Sequence, residues 1–331
     1  MADNFVVSAS PHIRRPLATS ATMKLVCIAL LPATLASVYL FGLNALLVIV
    51  VSVATCVLTE YLCNLLFRKA ITITDGSAAV TGLLLAFTLP PTTPLWMVGI
   101  GGFLAIFVAK QLFGGLGFNI FNPALAARAL LLSSWPVAMT TWARPVRTFC
   151  SVDAVTCASM TADAVTGATP LGVLKGAAHA EGAAQSAYSH LNLLLGDIPG
   201  SLGETCKVAL LLGAVLLFVY KVIDWRIPLT FIGTVFLLSI PMGREPVAAV
   251  LSGGLILGAF FMATDLVTSP TTGNGKLIFG IGCGVLTALI RSYGGFPEGV
   301  CYSILFMNCL VPLLDKCLQP RVFGTKRAWS W

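Results

Sequence analysis

Apolar runs of roughly 15 to 25 residues, separated by short polar breaks, follow one another along most of this chain. A core in water cannot absorb that much continuous apolar surface. Inside a bilayer every backbone N–H and C=O must find its partner within its own segment, so such runs become membrane helices. The strict alternation of barrel strands is absent. Only 10% of the 331 residues are charged and the mean hydropathy is +0.92, against about 25% charged in soluble domains. The sequence predicts an all-α integral membrane protein.

The runs fall at 24–41, 44–67, 77–90, 95–113 and 119–135, then at 207–223, 228–242, 246–264, 277–292 and 298–316, which suggests about ten transmembrane helices. Those at 77–90, 119–135 and 228–242 are shorter than the ~20 residues of a full crossing. They are bounded by Asp, Gly, Pro or Asn, which predicts half-helices facing protein or a cavity. Ile100-Gly101-Gly102, with Lys110 and Gly114-Gly115 behind it, is echoed by Ile281-Gly282-Cys283 with Arg291 and Gly294-Gly295. We read this as two inverted five-helix repeats.

The expected organisation is a cytoplasmic tail (1–23), a first membrane repeat (24–135), an extracytoplasmic insert (136–206), a second repeat (207–316) and a cytoplasmic tail (317–331). With both termini inside, 13 of the 20 Lys and Arg residues lie on the inner side, and 7, counting Arg128, on the outer. The first 23 residues lack the short apolar core and small-residue cleavage site of a secretory signal. The net charge of +7 is spread over loop ends, with no aromatic-interleaved basic patch for nucleic acid. None of the ten cysteines stands in C-x-x-C spacing. Cys150, Cys157 and Cys206, in the polar segment, have pairing or metal binding as alternatives, but the simpler reading is free thiols and no iron–sulfur cluster.

Within the insert stands Asp163-Ala-Val-Thr166-Gly167-Ala168-Thr169-Pro170-Leu171-Gly172. Gly167 permits a tight turn and Pro170 stops a helix, so the Thr169 hydroxyl is expected to be presented instead of packed. An ordinary Gly-Pro turn explains four residues equally well. No Walker A or G-x-G-x-x-G cradle accompanies the run, so a phosphate here would have to be bonded and not merely bound.

This run resembles the flavinylation motif of the D subunit of Rnf complexes and of the B subunit of sodium-pumping NADH:quinone reductases. Thr166, where Ser is common, is a departure. The likeness to the Rnf protein continues in Ser10-Pro11-His12-Ile13-Arg14, Asp75-Gly76-Ser77-Ala78-Ala79-Val80-Thr81-Gly82-Leu83, Asn119-Ile120-Phe121-Asn122-Pro123-Ala124, Phe261-Met262-Ala263-Thr264-Asp265 and Gly294-Gly295-Phe296-Pro297-Glu298-Gly299. The short amino end favours the Rnf relative over the quinone-reductase one.

The resemblance implies covalent FMN, joined through a phosphoester to Thr169 by a flavin transferase that recognises Asp163, Thr166, Gly167 and Ala168. It also implies a riboflavin held non-covalently in the bundle, and a scaffold similar to ammonium and urea channels. The implied activity is electron relay within a complex linking reduced ferredoxin and NAD to Na⁺ or H⁺ translocation. The chain would work with the other membrane and peripheral subunits in a bacterial or archaeal cytoplasmic membrane, and not alone. A channel or transporter without a redox cofactor is the rival reading.

Further positions carry two readings each. Arg128 lies inside an apolar run, where a charge costs about 2.5–3.5 kcal/mol unless partnered by a flavin phosphate, a flavin carbonyl or a carboxylate. Asp75 is either the N-cap of the half-helix or an ion- or flavin-facing group. Asp265 and Glu298, at span ends, are ordinary solvated carboxylates or ion-coupling groups. Asn119 and Asn122, beside Pro123, contact a flavin edge or shape a turn.

Overall fold

The computed structural model describes residues 19–68, 72–143, 145, 169–172, 190–294 and 298–319. Among them there is no β-strand, and each of the ten predicted apolar runs contains a helix. In the first half are α1 (Thr19–Phe41), α2 (Leu43–Leu66), α3 (Ser77–Thr88), α4 (Leu95–Ile106), α5 (Pro123–Ser134) and the short α6 (Pro136–Thr140). After α7 (His190–Leu195) come α8 (Lys207–Val219), α9 (Arg226–Ser239), α10 (Pro246–Leu251), α11 (Leu255–Leu257), α12 (Gly273–Tyr293) and α13 (Val300–Cys317). Two helices run on as π turns: α4 through Phe107–Gln111 and α11 through Gly258–Met262. Helices α1, α2, α12 and α13 are long and apolar enough to cross a membrane, and the others are shorter.

Local chemistry sets the boundaries. Asn122 caps α5, its Oδ1 accepting from the N–H groups of Ala124 (3.1 Å) and Leu125 (3.4 Å), and Pro123 opens the helix. The predicted 119–135 run therefore becomes helical only at 123. The run at 246–264, expected to be continuous, is broken: α10 ends at Leu251 and the chain restarts at Leu255. Gly253 makes the break with φ 68°, and Gly76 precedes α3 with φ 76°. A side chain is strained in that left-handed region, so glycine turns the chain into each of these short helices.

Helix α2 packs on α3 and α4, α9 on α12, and α12 on α13, while α1–α8 and α5–α13 join the halves. One apolar cluster runs through the whole assembly, from Leu30 and Val48 to Phe231, Phe279 and Ile304. The opposite faces of the outer helices carry exposed Leu35, Leu43, Leu66 and Val219. Apolar on both faces, these helices suit a multi-pass membrane protein.

One ion pair tethers the α8–α9 connection. Asp224 accepts from the Arg226 N–H (3.2 Å) and from the Lys276 ammonium (3.1 Å). Burial alone would raise its carboxyl pKa, but these donors hold it below the ordinary 3.8. A carboxyl depressed by folding adds stability that is complete above the unfolded pKa and disappears as pH falls through the folded value. Thermal unfolding in detergent should show wild type more stable than Asp224→Asn above about pH 4, the gap closing as the pH drops further.

Candidate functional site

The start of α3, the π turn after α4, the segment ahead of α5 and the loop after α11 enclose a polar cleft of about 40 Å³. Its polar lining is Ser77, Thr81, Lys110, Asn119, Asn122 and Asp265. That is room for a few waters or one small ion. The π turn adds a residue to the helical circuit and so re-aims the side chains after it; such turns recur at functional sites. Here Lys110 points inward, donating to Glu60 Oε1 (2.9 Å) and Ser77 Oγ (2.7 Å). Both members of the Lys110–Glu60 pair are 2% exposed. Thr72 Oγ1 also donates to Glu60 Oε1 (3.0 Å) and accepts from Asn64 Nδ2 (3.0 Å). Glu60 Oε2 and Asn119 Oδ1 are buried without a hydrogen-bond partner. Sequence reasoning missed Glu60 and read Lys110 as an inner-side basic residue and a member of the repeat echo, not as a site residue. The available signal was a carboxylate inside the 44–67 run, where burial demands a partner.

Three predicted residues meet in this cleft. Asp265 lies just beyond the π turn of α11 and accepts from Thr268 Oγ1 at 3.2 Å. Asn119 donates to the Phe121 carbonyl at 3.1 Å. Asn122, besides capping α5, donates to the Met262 carbonyl at 3.3 Å and so latches the first half to the second. With its amide turned to satisfy both groups, Asn308 accepts from the Asn122 N–H (3.2 Å) and donates to the Thr268 carbonyl (3.2 Å). Turn and cap chemistry therefore account for Asn122.

The remaining predicted charges lie elsewhere. Arg128 and Glu298, read separately from sequence, form one ion pair, with side chains 9% and 15% exposed. The partner that Arg128 requires is thus a carboxylate, and Glu298 is not the solvated group expected at a span end. Asp75 is not the cap of α3. It ends the 3₁₀ turn Ile73–Asp75, and Gly76 holds the cap position without a side-chain bond.

Asp163, Thr166, Gly167, Ala168, Cys150 and Cys157 lie outside the described residues. Thr169 is 8% exposed, and its Oγ1 accepts from the Gly172 N–H at 3.1 Å. The hydroxyl is packed, contrary to expectation, because Pro170 starts a helical turn that the threonine caps. Leu171 brings this turn against the second half, 3.8 Å from where a Cβ on Gly253 would stand, and Arg291 Nη2 lies 3.2 Å from the same point. Arg291 is buried and donates to the carbonyls of Ala249 (2.7 Å) and Ser252 (3.2 Å), while its Nε has no partner. Read from sequence as an outer-side basic residue and the echo of Lys110, it too is a buried cation beside a left-handed glycine.

A second cavity, of about 620 Å³, is an apolar groove lined by Phe218, Trp225, Leu229, Phe236, Val247 and Phe260 among others.

A family model described as "NQR2, RnfD, RnfE family" matches residues 6–324. The chain is 48% identical over 335 residues to the D subunit of the proton-translocating ferredoxin:NAD(+) oxidoreductase complex of Clostridium ljungdahlii, covering 98% of this chain and 97% of that one. It is 44% identical to the D subunit of the Na(+)-translocating ferredoxin:NAD(+) oxidoreductase complex of Acetobacterium woodii, covering 98% and 96%. It is 43% identical to the D subunit of the ion-translocating oxidoreductase complex of Stutzerimonas stutzeri, covering 90% of each.

Proposed function

Because the chain belongs to the NQR2, RnfD, RnfE family, we propose that it is the D subunit of an ion-translocating ferredoxin:NAD oxidoreductase and works with the other subunits of that complex. Near-full-length identity of 48% and 44% to two such proteins carries this reading. In it the two halves are inverted repeats (24–135 and 207–316) in the cytoplasmic membrane, both termini are inside and 136–206 lies outside. The left-handed glycines ahead of α3 and α11, each beside a buried cation, support the repeat. Asp265 and Glu298, the latter paired with Arg128, are its ion-coupling candidates. Asp75, half-buried beside the start of α3, is another.

In the same reading Thr169 carries FMN, attached by a flavin transferase, and the group would supply electron storage in its ring. Two features would serve a bonded phosphate. An esterified Oγ1 keeps a lone pair for the Gly172 N–H, and the unpartnered Arg291 Nε marks a cation next to the turn. For riboflavin, neither of the two cavities fits. The cleft of about 40 Å³ is smaller than a flavin ring, and the lining of the larger groove is apolar apart from the Trp225 indole N–H.

The test is covalent flavin itself. Co-expressed with a flavin transferase, the chain should fluoresce on a denaturing gel, and Thr169→Ala should lose the entire signal. A dark unmodified chain, with no added mass on the peptide containing Thr169, would return the assignment to a channel or transporter without a flavin.

A further inference from the structure

The apolar groove beside α9 has charge at one end only. It runs from Trp225, just ahead of the helix, to Phe236 near its far end. At 1.5 Å per residue that is about 16 Å, close to half of a ~30 Å hydrocarbon core. Gly233 is its floor at mid-length: a Cβ there would meet no heavy atom within 4 Å, so the groove reaches the α9 backbone. The walls are bulky, with Phe218, Leu229, Ile232 and Phe260 among them. Membrane helices associate through small residues and interhelical hydrogen bonds. This lining offers one glycine and, besides the Trp225 indole N–H, no polar side-chain group. A flexible hydrocarbon chain needs neither, because dispersion contacts along its length suffice.

The other end is built for a headgroup. Tryptophan marks the membrane–water boundary, and the Arg226 guanidinium lies over the Trp225 ring, 6.0 Å from its centre. Among the described residues that guanidinium forms no ion pair and donates no hydrogen bond. Asp224 beside it takes its hydrogen bonds from the Arg226 backbone N–H and the Lys276 ammonium. Lys221, between α8 and Trp225, is exposed. Three cations thus stand against one carboxylate. Asp315, at the end of α13, accepts from the Thr271 N–H at 3.0 Å and is matched in charge by Lys316. Basic pockets between membrane helices attract anionic headgroups. We propose that the groove is a site for one anionic phospholipid, its phosphate on Arg226 and one acyl chain lying along α9 as far as Phe236. The guanidinium gives paired N–H donors to the phosphate oxygens, while Lys221 and Lys276 raise the local positive potential. The site requires a bilayer around the chain and is independent of the electron-transfer reading.

Native mass spectrometry of the full chain tests the site. The chain is released from micelles holding equal amounts of phosphatidylglycerol and phosphatidylcholine with the same acyl chains. Wild type should retain one phosphatidylglycerol about tenfold more often than phosphatidylcholine, and Arg226→Gln should lose most of that preference, the scale of a hydrogen bond to a charged group. Gly233→Leu fills the groove, leaves every charge in place and replaces glycine by a better helix former. It should lower retention of both lipids severalfold. Equal retention of the two lipids by wild type would overturn the proposal. So would an unchanged preference in Arg226→Gln, or unchanged retention in Gly233→Leu. If Arg226→Gln does not fold, Gly233→Leu decides by the same criterion. The intact complex, measured in the same way, should keep its phosphatidylglycerol. Loss of the lipid on assembly would give the groove to a helix of another subunit and overturn the lipid site.

Discussion

Glu298→Ala is expected to lower the stability of the protein in detergent by about 3–5 kcal/mol, the range for breaking a buried ion pair by deleting one partner. Arg128 is on α5 and Glu298 just ahead of α13, so the pair joins the two halves through residues 170 positions apart in sequence. Without Glu298, the guanidinium is left in an environment where its side chain is 9% exposed and water cannot solvate it. Adding Arg128→Met should recover much of the loss, because replacing both charges by apolar groups is frequently neutral. Thermal or denaturant unfolding of the three variants measures this cycle. If Glu298→Ala matched wild type, the pair would be a solvated surface contact.

Gly82→Val should be worse tolerated than any conservative change on α3. A Cβ at Gly82 would lie 2.7 Å from Val53 Cα and 3.0 Å from the Ser52 carbonyl oxygen, and backbone has no rotamer with which to yield. The contact between α2 and α3 would open, breaking the Ser52 Oγ–Gly82 O hydrogen bond of 2.7 Å. Overpacking typically costs about 1–3 kcal/mol, and against unyielding backbone the upper end is expected, with less folded protein in the membrane fraction. Gly233→Ala on α9 is the control. No heavy atom lies within 4 Å of the added carbon there, so yield and unfolding temperature should stay close to wild type.

Much of the molecule was legible in one dimension because its constraints are local. Continuous apolar runs located the main helices, since a backbone in lipid must pair with itself. Asn122-Pro123 marked the start of α5, since capping involves neighbours only two or three positions away. Other features depended on what the chain meets after folding. The run at 246–264 reads as one span, and only its neighbours disclose the left-handed Gly253 that breaks it. Thr169 was expected to be presented, because nothing nearby in sequence shows the second half against which its turn packs. Arg128 clearly required a partner, yet the sequence offered several and the fold selected Glu298.

From its residues alone, then, the chain determined that it is helical, where its apolar helices run and which charges need an answer, because hydropathy and capping act over a few positions. Which charges answer one another was decided only in three dimensions. Lys110 with Glu60, and Arg128 with Glu298, are separated by 50 and 170 positions. Electrostatic energy depends on distance through space and on exclusion of water, neither of which the order of residues along the chain contains.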